Sequence, residues 1–440
     1  PILNRTLMQR EMEIRDVMTA NRDARIWALA RGEELAVHDD NLPVPVPVAT
    51  NHPGDRDDLS FTYPSGEAVI GKLKVAPHCK VELFADEARF PELVNPVQMA
   101  WDTRGRLWVA AWPNYPERRP GSTSGDSLLV LEDTDADGRA DVCTAFATDL
   151  NAPTGFTFHR DGGLLMQAPD LWFLRDTDGD GRADARQRVL MGIDSADSHH
   201  TTNAMGLDPS CATTLSDGYF HRTQIETWNG PLRHADGCIW RFEPRTGRVE
   251  LYAPYELVNA HGKVWDEWGT DLLTNATGNH TFFGPAISGH LTTGKHPELK
   301  QFWDRPSRPC AGTGMVSSAH FPADWQGDFL NCNVIGLQGI TRVDVRQDGS
   351  GLRGETVEHV VVADPAELPT FRPVCVVNGP DGALYFADWA QAIIGHLQHH
   401  LRDPNRDHQH GRIYRLTYEG RPLATPPRIA GASIEHLLDL

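Results

Sequence analysis

The sequence predicts an all-β fold, a six-bladed β-propeller, and three observations lead there. From about residue 62 onward, short β-rich runs alternate with Gly, Asp, Asn and Pro turns, and the long helical patterns that βαβ units need are missing. One motif recurs six times: an apolar stretch, a polar turn ending in Gly, and a second apolar strand. Its copies are MAWDTRGRLWVAAW (99–112), FTFHRDGGLLMQA (156–168), AMGLDPSCATTLSDG (204–218), KVWDEWGTDLLTNA (263–276), SAHFPADWQGDFLNCN (318–333) and VVNGPDGALYFADW (376–389). They lie about 50–60 residues apart, the length of one four-stranded blade. The turn glycines are Gly105, Gly163, Gly269, Gly327 and Gly382; the third copy has Cys211-Ala212 where glycine is expected. A single blade cannot bury its own faces, so ring closure follows from the repeat. Two β-sandwiches with similar hairpins are the alternative.

In chain order, residues 4–31 read as a helix, with Leu7, Ile14, Met18, Ile26 and Leu29 roughly on one stripe and Asn4 as N-cap. LPVPVPV (42–48) is an extended, semi-rigid spacer, and NHPGDRDD continues it to about residue 58. Residues 1–60 are therefore a helix and strap, 61–418 the propeller, and 419–440 a linker with the start of a helix capped by Ser433. The chain begins at Pro1 and reads as a piece of a longer protein, so the missing targeting signal carries little weight.

The 440 residues are 40% hydrophobic and 23% charged, an ordinary globular composition. A net charge of −19 argues against nucleic acid or an anionic membrane as the main partner, since both require a positive surface. No run of 18 apolar residues occurs. Seven scattered cysteines form no CxxC, which excludes a zinc ribbon or thioredoxin motif and leaves one or two disulfides open.

DTDADGRAD (133–141) and DTDGDGRAD (176–184) are near-copies. Asp133, Asp135, Asp137 and Asp141, and again Asp176, Asp178, Asp180 and Asp184, offer hard oxygen ligands for a structural Ca²⁺ around a permissive glycine. Thr144 and Gln187 stand where an EF-hand has its closing glutamate, so these are not EF-hands. A solvated Asx turn is the plainer reading.

Propeller ligands sit on the loops that enter the innermost strands. The candidates there are His199 and His200 before the third copy, Asn259 and His261 before the fourth, Asn279 and His280 after it, and Arg372 before the sixth. His221, Arg222 and Glu226 follow the third copy. The last loop is dense in His396, His399, His400, His408 and His410, which read as a polar latch that closes the ring rather than a metal site.

VELFADEARFPELVNPVQMAWDTRGRLWVAAW (81–112), SHHTTNAMGLDPS (198–210), VNAHGKVWDEWG (258–269), FRPVCVVNGPDGALYFADW (371–389) and IIGHLQHHLRDPNRDHQHGRIYRL (393–416) together carry a family resemblance. The chain resembles the soluble quinoprotein glucose and sorbosone dehydrogenases. It looks more like the membrane-bound-dehydrogenase propellers of Planctomycetes and Verrucomicrobia. The resemblance implies oxidation of a sugar or alcohol hydroxyl with pyrroloquinoline quinone (PQQ) and Ca²⁺. It implies His200 as base with His199 in support, and a PQQ site at Asn259, His261, Asn279 and Arg372. It also implies electron transfer to a c-type cytochrome, a periplasmic or other extracytoplasmic location with membrane association through parts not in this chain, an upstream hydrolase-like domain and downstream helical repeats. Two family cations are replaced, by Val258 and Gln338. Two other readings stay open. One is a Ca²⁺-dependent lactonase built on Asn203, Asn259, Asn279 and Glu226. The other is a non-catalytic propeller binding carbohydrate or protein. Trp112, Tyr115, Tyr219, Phe220 and Trp228 suit sugar stacking under any of the three.

Overall fold

The computed structural model describes residues 2–36, 38–118, 125–278, 280–284, 301–304, 307, 310–395 and 398–440. Its strands form six blades. Blade one is Pro96–Trp101, Leu107–Ala111, Asp126–Glu132 and Val142–Leu150; blade two is Gly155–His159, Gly162–Gln167, Asp170–Arg175 and Ala185–Met191. Blade three is Asn203–Leu207, Thr213–Asp217, Gly237–Glu243 and Arg248–Leu257, with a hairpin, Arg222–Ile225 and Leu232–Ala235, inserted between its second and third strands. Blade four is Ala260–Trp265, Asp271–Asn275 and His280–Phe283, and Phe282 bridges on to Gln301. Blade five is Cys310–Met315, Phe329–Asn333, Gln338–Asp348 and Gly351–Ala363; blade six is Pro373–Asn378, Leu384–Asp388 and Arg412–Tyr418.

The innermost strands touch in ring order, blade one to two and onward to six, and blade six returns to blade one. The second strand is buried at every position in blades one, three, four, five and six. A blade packs on both faces against its neighbours, so these strands show no exposed alternate positions, and the polar residues among them, such as Thr213, Asp217, Asp271 and Asn331, are buried too. The ring is closed by the amino-terminal part of the propeller. Cys79–Asp86 becomes the outer strand of blade six, pairing from Cys79 with Tyr418 to Asp86 with Arg412, and Leu73–Val75 extends blade five. The latch loop 389–411 completes the closure, with Asn95 Nδ2 donating to the carbonyls of Trp389 and His410.

Because every blade is antiparallel, its loops alternate between two faces. The upper face holds the loops that enter the innermost strands and those joining second to third strands. The lower face holds the tight turns. Gly105, Gly269, Gly327 and Gly382 adopt φ between 79° and 84° in these turns, and Cys211 takes the same left-handed position at φ 66°. Asp102, Asp208, Asp266 and Asp381 cap the turns by accepting backbone N–H groups two residues on. Gly163 departs from the expectation: it lies inside a strand, and Arg160 at φ 51° makes the turn.

The first helix runs Ile2–Ala30, so Asn4 lies within it and does not cap it. Ile14, Met18 and Ala28 are buried, whereas Ile26 and Leu29 face solvent, so the expected stripe is only partly used. The strap has no regular structure, and Ser433 caps a final helix, Ile434–Leu438, by accepting from His436 N–H. All seven cysteines are free thiols. No helix among the described residues is long and apolar enough to cross a membrane.

Candidate functional site

A cavity of about 140 Å³ opens on the upper face at the mouth of the channel. Its walls are Val97, Ala276, Ala311, Val334, Val374 and Ile394, with the aromatic rings of Trp112, Tyr115 and Trp389. Thr154, His199, Thr201, Asn203, Asn259, His261 and Cys310 supply the polar atoms. These residues come from all six blades, so no single stretch of sequence contains the site.

His261 is the best-defined group. Asn203 Nδ2 donates to the Thr201 carbonyl at 2.9 Å, which turns Asn203 Oδ1 toward His261 Nδ1 at 2.7 Å. An amide oxygen only accepts, so the network puts the imidazole proton on Nδ1 and leaves the lone pair on Nε2. Nε2 has no protein partner among the described residues. Burial pushes the His261 pKa down to about 4, so the ring stays neutral at physiological pH.

His199 also lines the cavity, with Nδ1 2.7 Å from the Tyr115 hydroxyl. That hydroxyl accepts from Gly395 N–H, and burial, partly offset by the nearby Arg406, raises its pKa to about 12. Tyr115 therefore stays protonated and fixes the latch loop and His199 together. His200 is set back from the cavity. Its Nδ1 meets Asp197 Oδ2 at 2.8 Å, and Asp197 Oδ1 accepts the backbone N–H groups of both His199 and His200. The His200 ring packs edge-on against His199 on one side and Phe220 on the other, and Phe220 continues to Tyr219. The expected base is thus a lip residue, and its sequence neighbour is the lining one.

Beneath the lip, Asp217 is fully buried and accepts from Thr202, Gly218, His221, Thr223 and Trp240. Burial opposes its charge, but these bonds, led by His221, outweigh it and hold the carboxyl below its ordinary range. Burial likewise opposes a charged His221, and Asp217 outweighs it and raises the imidazole. This pair ties the inserted hairpin to Thr213–Asp217, the strand that pairs with the one carrying Asn203.

Arg372 does not line the cavity. Its Nε, Nη1 and Nη2 donate to the carbonyls of Gln391, Val334 and Ala392, and burial lowers its pKa to about 10. Its charge is consumed in tying blade five to the latch, which corrects its expected place among the PQQ contacts. Asn259 does line the cavity; its N–H donates to Asn275 Oδ1. Asn279 and His396 lie outside the described residues. Gln338 is buried, donating to the Pro369 carbonyl.

Both aspartate loops join third to fourth strands, on the face opposite the cavity. Oxygens of Asp133, Asp135 and Asp141 lie within 4.8 Å of one another, as do those of Asp176, Asp178 and Asp180. Asp137 and Asp184 are not in these groups: Asp137 caps Arg139 N–H, and Asp184 accepts from Thr177. No histidine of the latch forms a metal-binding group among the described residues.

The cavity does not fit the expected cofactors. PQQ is trianionic and needs cations, yet no Arg or Lys lines the cavity among the described residues. No carboxylate lines it either, so it offers Ca²⁺ no charged ligand. The volume also lies below the roughly 300–1,000 Å³ of typical cofactor pockets. Sequence reasoning missed Asn203 as the residue that orients His261, and it missed the roles of Tyr115 and Asp217; no local pattern marks contacts made across blades.

The chain is similar to several solved structures. The holo form of the pyranose dehydrogenase PQQ domain from Coprinopsis cinerea is 13% identical, covering 78% of this chain and 97% of that one, with a TM-score of 0.50. A Trichoderma reesei carbohydrate-active enzyme of family AA12 is 12% identical, covering 79% and 98%, with a TM-score of 0.51. The calcium-binding protein regucalcin from Agrobacterium tumefaciens is 14% identical, covering 77% and 95%, with a TM-score of 0.42. No curated protein matches the chain in sequence. A sequence family does match, over residues 65–306 and 299–420, which span the six blades described above, and the chain belongs to that family, described as a domain of unknown function (DUF7133).

Proposed function

We propose that this propeller recognises a neutral carbohydrate or polyol, one hydroxyl of which donates to His261 Nε2. The observation that carries the reading is the neutral, singly protonated His261, with its accepting nitrogen unpartnered, in a cavity lined by aromatic rings and uncharged polar groups. Such a lining suits a sugar, whose C–H faces stack on rings and whose hydroxyls pair with neutral acceptors and donors. The half-exposed Phe220, held at φ 68°, and Trp228 in the turn of the inserted hairpin extend the same chemistry outward from the lip.

His261 is the group placed to take a hydroxyl proton, but burial makes its imidazolium unfavourable, so it is an acceptor first and a weak base second. Oxidation of that hydroxyl with electrons passed to a c-type cytochrome is the finer form of this reading; the lining residues do not fit PQQ, and no step is derived through it. On the same reading the two aspartate clusters take a structural Ca²⁺ and have no part in ligand binding.

Ligand-observed NMR with neutral monosaccharides, sugar alcohols, aldonolactones and sugar acids tests the proposal. Neutral polyhydroxy ligands are expected to show saturation transfer and sugar acids none. His261→Leu, which loses the acceptor, is expected to weaken binding roughly tenfold. Transfer from sugar acids alone, or from no ligand, contradicts the reading.

A further inference from the structure

The hairpin inserted in blade three starts beside the cavity and runs outward over blade two. At its base, His221 Nδ1 meets Asp217 Oδ1 and its Nε2 faces the Asp197 carbonyl at 3.4 Å, in the turn that carries His199 and His200. The strand Arg222–Ile225 then follows the segment leaving blade two, in the reverse direction. Arg222 N–H donates to Asp194 Oδ2, Asp194 N–H to Thr223 Oγ1, and Gln224 N–H to the Gly192 carbonyl. Ile225 packs in one apolar cluster with Leu190, on the outer strand of blade two. Each step along the hairpin therefore leads away from the lip, and Trp228 stands in the turn at its far end.

The exposed side chains fall at every second position. Phe220, Arg222, Gln224, Glu226 and Trp228 are exposed, alternating with the buried or half-buried His221, Thr223, Ile225 and Thr227, as one open face of a strand requires. This face begins and ends in a ring. Phe220 is 47% exposed at φ 68°, its N–H donating to Asp236 Oδ1. Glycine would hold that backbone without strain, so a bulky ring is kept there at a conformational cost, and such outliers cluster at ligand sites. Two ring contacts join it to the cavity wall, 5.8 Å to His200 and 4.7 Å from there to His199, and Tyr219 tilts against it at 4.4 Å. Trp228 is 75% exposed. The polar row between the rings is balanced within the hairpin: Arg222 pairs with Asp236, and Arg233 donates to Gln224, which donates to Glu226. Rings at both ends of a charge-balanced polar row suit the C–H faces and hydroxyls of a neutral glycan. The cavity, at about 140 Å³, is smaller than a site for a whole drug-sized ligand, so only the end of such a chain enters it.

We propose that the ligand is the end of a neutral oligosaccharide or polysaccharide, its terminal unit in the cavity at His261 and its following units laid along the hairpin, stacked on Phe220 and further out on Trp228. The proposal rests on the carbohydrate reading and adds chain length and direction to it. Phe220 and Trp228 are then specificity-determining residues, which favour a chain over a single sugar.

Calorimetric titration of the full chain with cellohexaose, maltohexaose, mannohexaose and xylohexaose, each beside its own monosaccharide, tests it. At least one hexasaccharide is expected to bind about tenfold tighter than its monosaccharide. Phe220→Ala is expected to lower that ratio about tenfold and Trp228→Ala about threefold, whereas Trp268→Ala, an exposed ring at a lower-face turn, changes it less than about twofold. His261→Leu weakens both sugars. Monosaccharide binding that His261→Leu weakens, with a ratio near one or a ratio that Phe220→Ala and Trp228→Ala leave unchanged, overturns this proposal and leaves the carbohydrate reading standing. So does a ratio that Trp268→Ala lowers as much as they do. Self-association that Trp228→Ala abolishes, with no gain from chain length, gives the hairpin to a second copy of this chain and also overturns it. Absence of binding by every probe, or binding that His261→Leu leaves unchanged, overturns the carbohydrate reading and this proposal with it.

Discussion

The two faces of the propeller are built by different rules. On the lower face the turns are made locally: in blades one, three, four and six an aspartate caps the turn and a glycine, or Cys211, supplies the left-handed residue within a few positions. On the upper face local turns are joined by contacts that cross between blades. His261 is oriented by a residue 58 positions away, Tyr115 meets His199 across 84, and Arg372 is spent on carbonyls of two other segments. The lower face is a repeated structural solution; the upper face is where the blades differ and where ligand chemistry collects.

The comparison breaks most visibly at Asp217. Asp217→Asn leaves the hairpin anchor without its charge and His221 without its partner, and is expected to cost about 3–5 kcal/mol in urea unfolding. A loss below about 1 kcal/mol would show that the upper-face network is dispensable.

Acidification comes next. The folded-state pKa of His261 is about 4, below the roughly 6.5 of an unfolded histidine. Between these values the unfolded chain binds more protons, so the His261 contribution to stability falls as pH drops from about 6.5 to 4, by about 3 kcal/mol. His221 has the opposite sign. Its pKa is raised, so its contribution is complete below the unfolded pKa and disappears as pH rises through the folded one. Denaturation curves of His261→Gln between pH 4 and 7 should be flatter than those of the parent chain. Identical curves would remove His261 from the account.

The lower face offers a smaller, paired effect. Gly105 has φ 79° with open space around it, so Gly105→Ala is expected to cost about 1 kcal/mol through backbone strain alone. Cys211 holds the equivalent turn at φ 66°, and Cys211→Gly is expected to stabilise by about 0.5–1 kcal/mol. Thermal unfolding of the two variants should move in opposite directions. The smallest effect is across the molecule: chelation, or Asp133→Asn combined with Asp176→Asn, should shift melting but change upper-face ligand affinity less than about twofold.

What the sequence revealed follows the same division. The six blades, the turn glycines other than Gly163 and both aspartate clusters were legible because they are periodic or contiguous. At 197–200 the reading stopped one residue short. HisHis is symmetrical as sequence, and only the Asp197 turn, which binds both backbone N–H groups, decides that His199 reaches the cavity and His200 the lip. Arg372 was correctly placed near the upper face, but no local pattern shows that its donors are all consumed. The stripe on the first helix misled for a related reason: periodicity marks a face, and only tertiary packing shows how much of it is covered.

The most direct test of the account is calorimetric competition between a neutral sugar and PQQ, in the presence of Ca²⁺, for the parent chain and His261→Leu. The account predicts saturable sugar binding that the variant weakens about tenfold and that the quinone does not displace. Stoichiometric uptake of the quinone with exclusion of the sugar would contradict it, and would return the cavity to the quinoprotein chemistry that the sequence resembles.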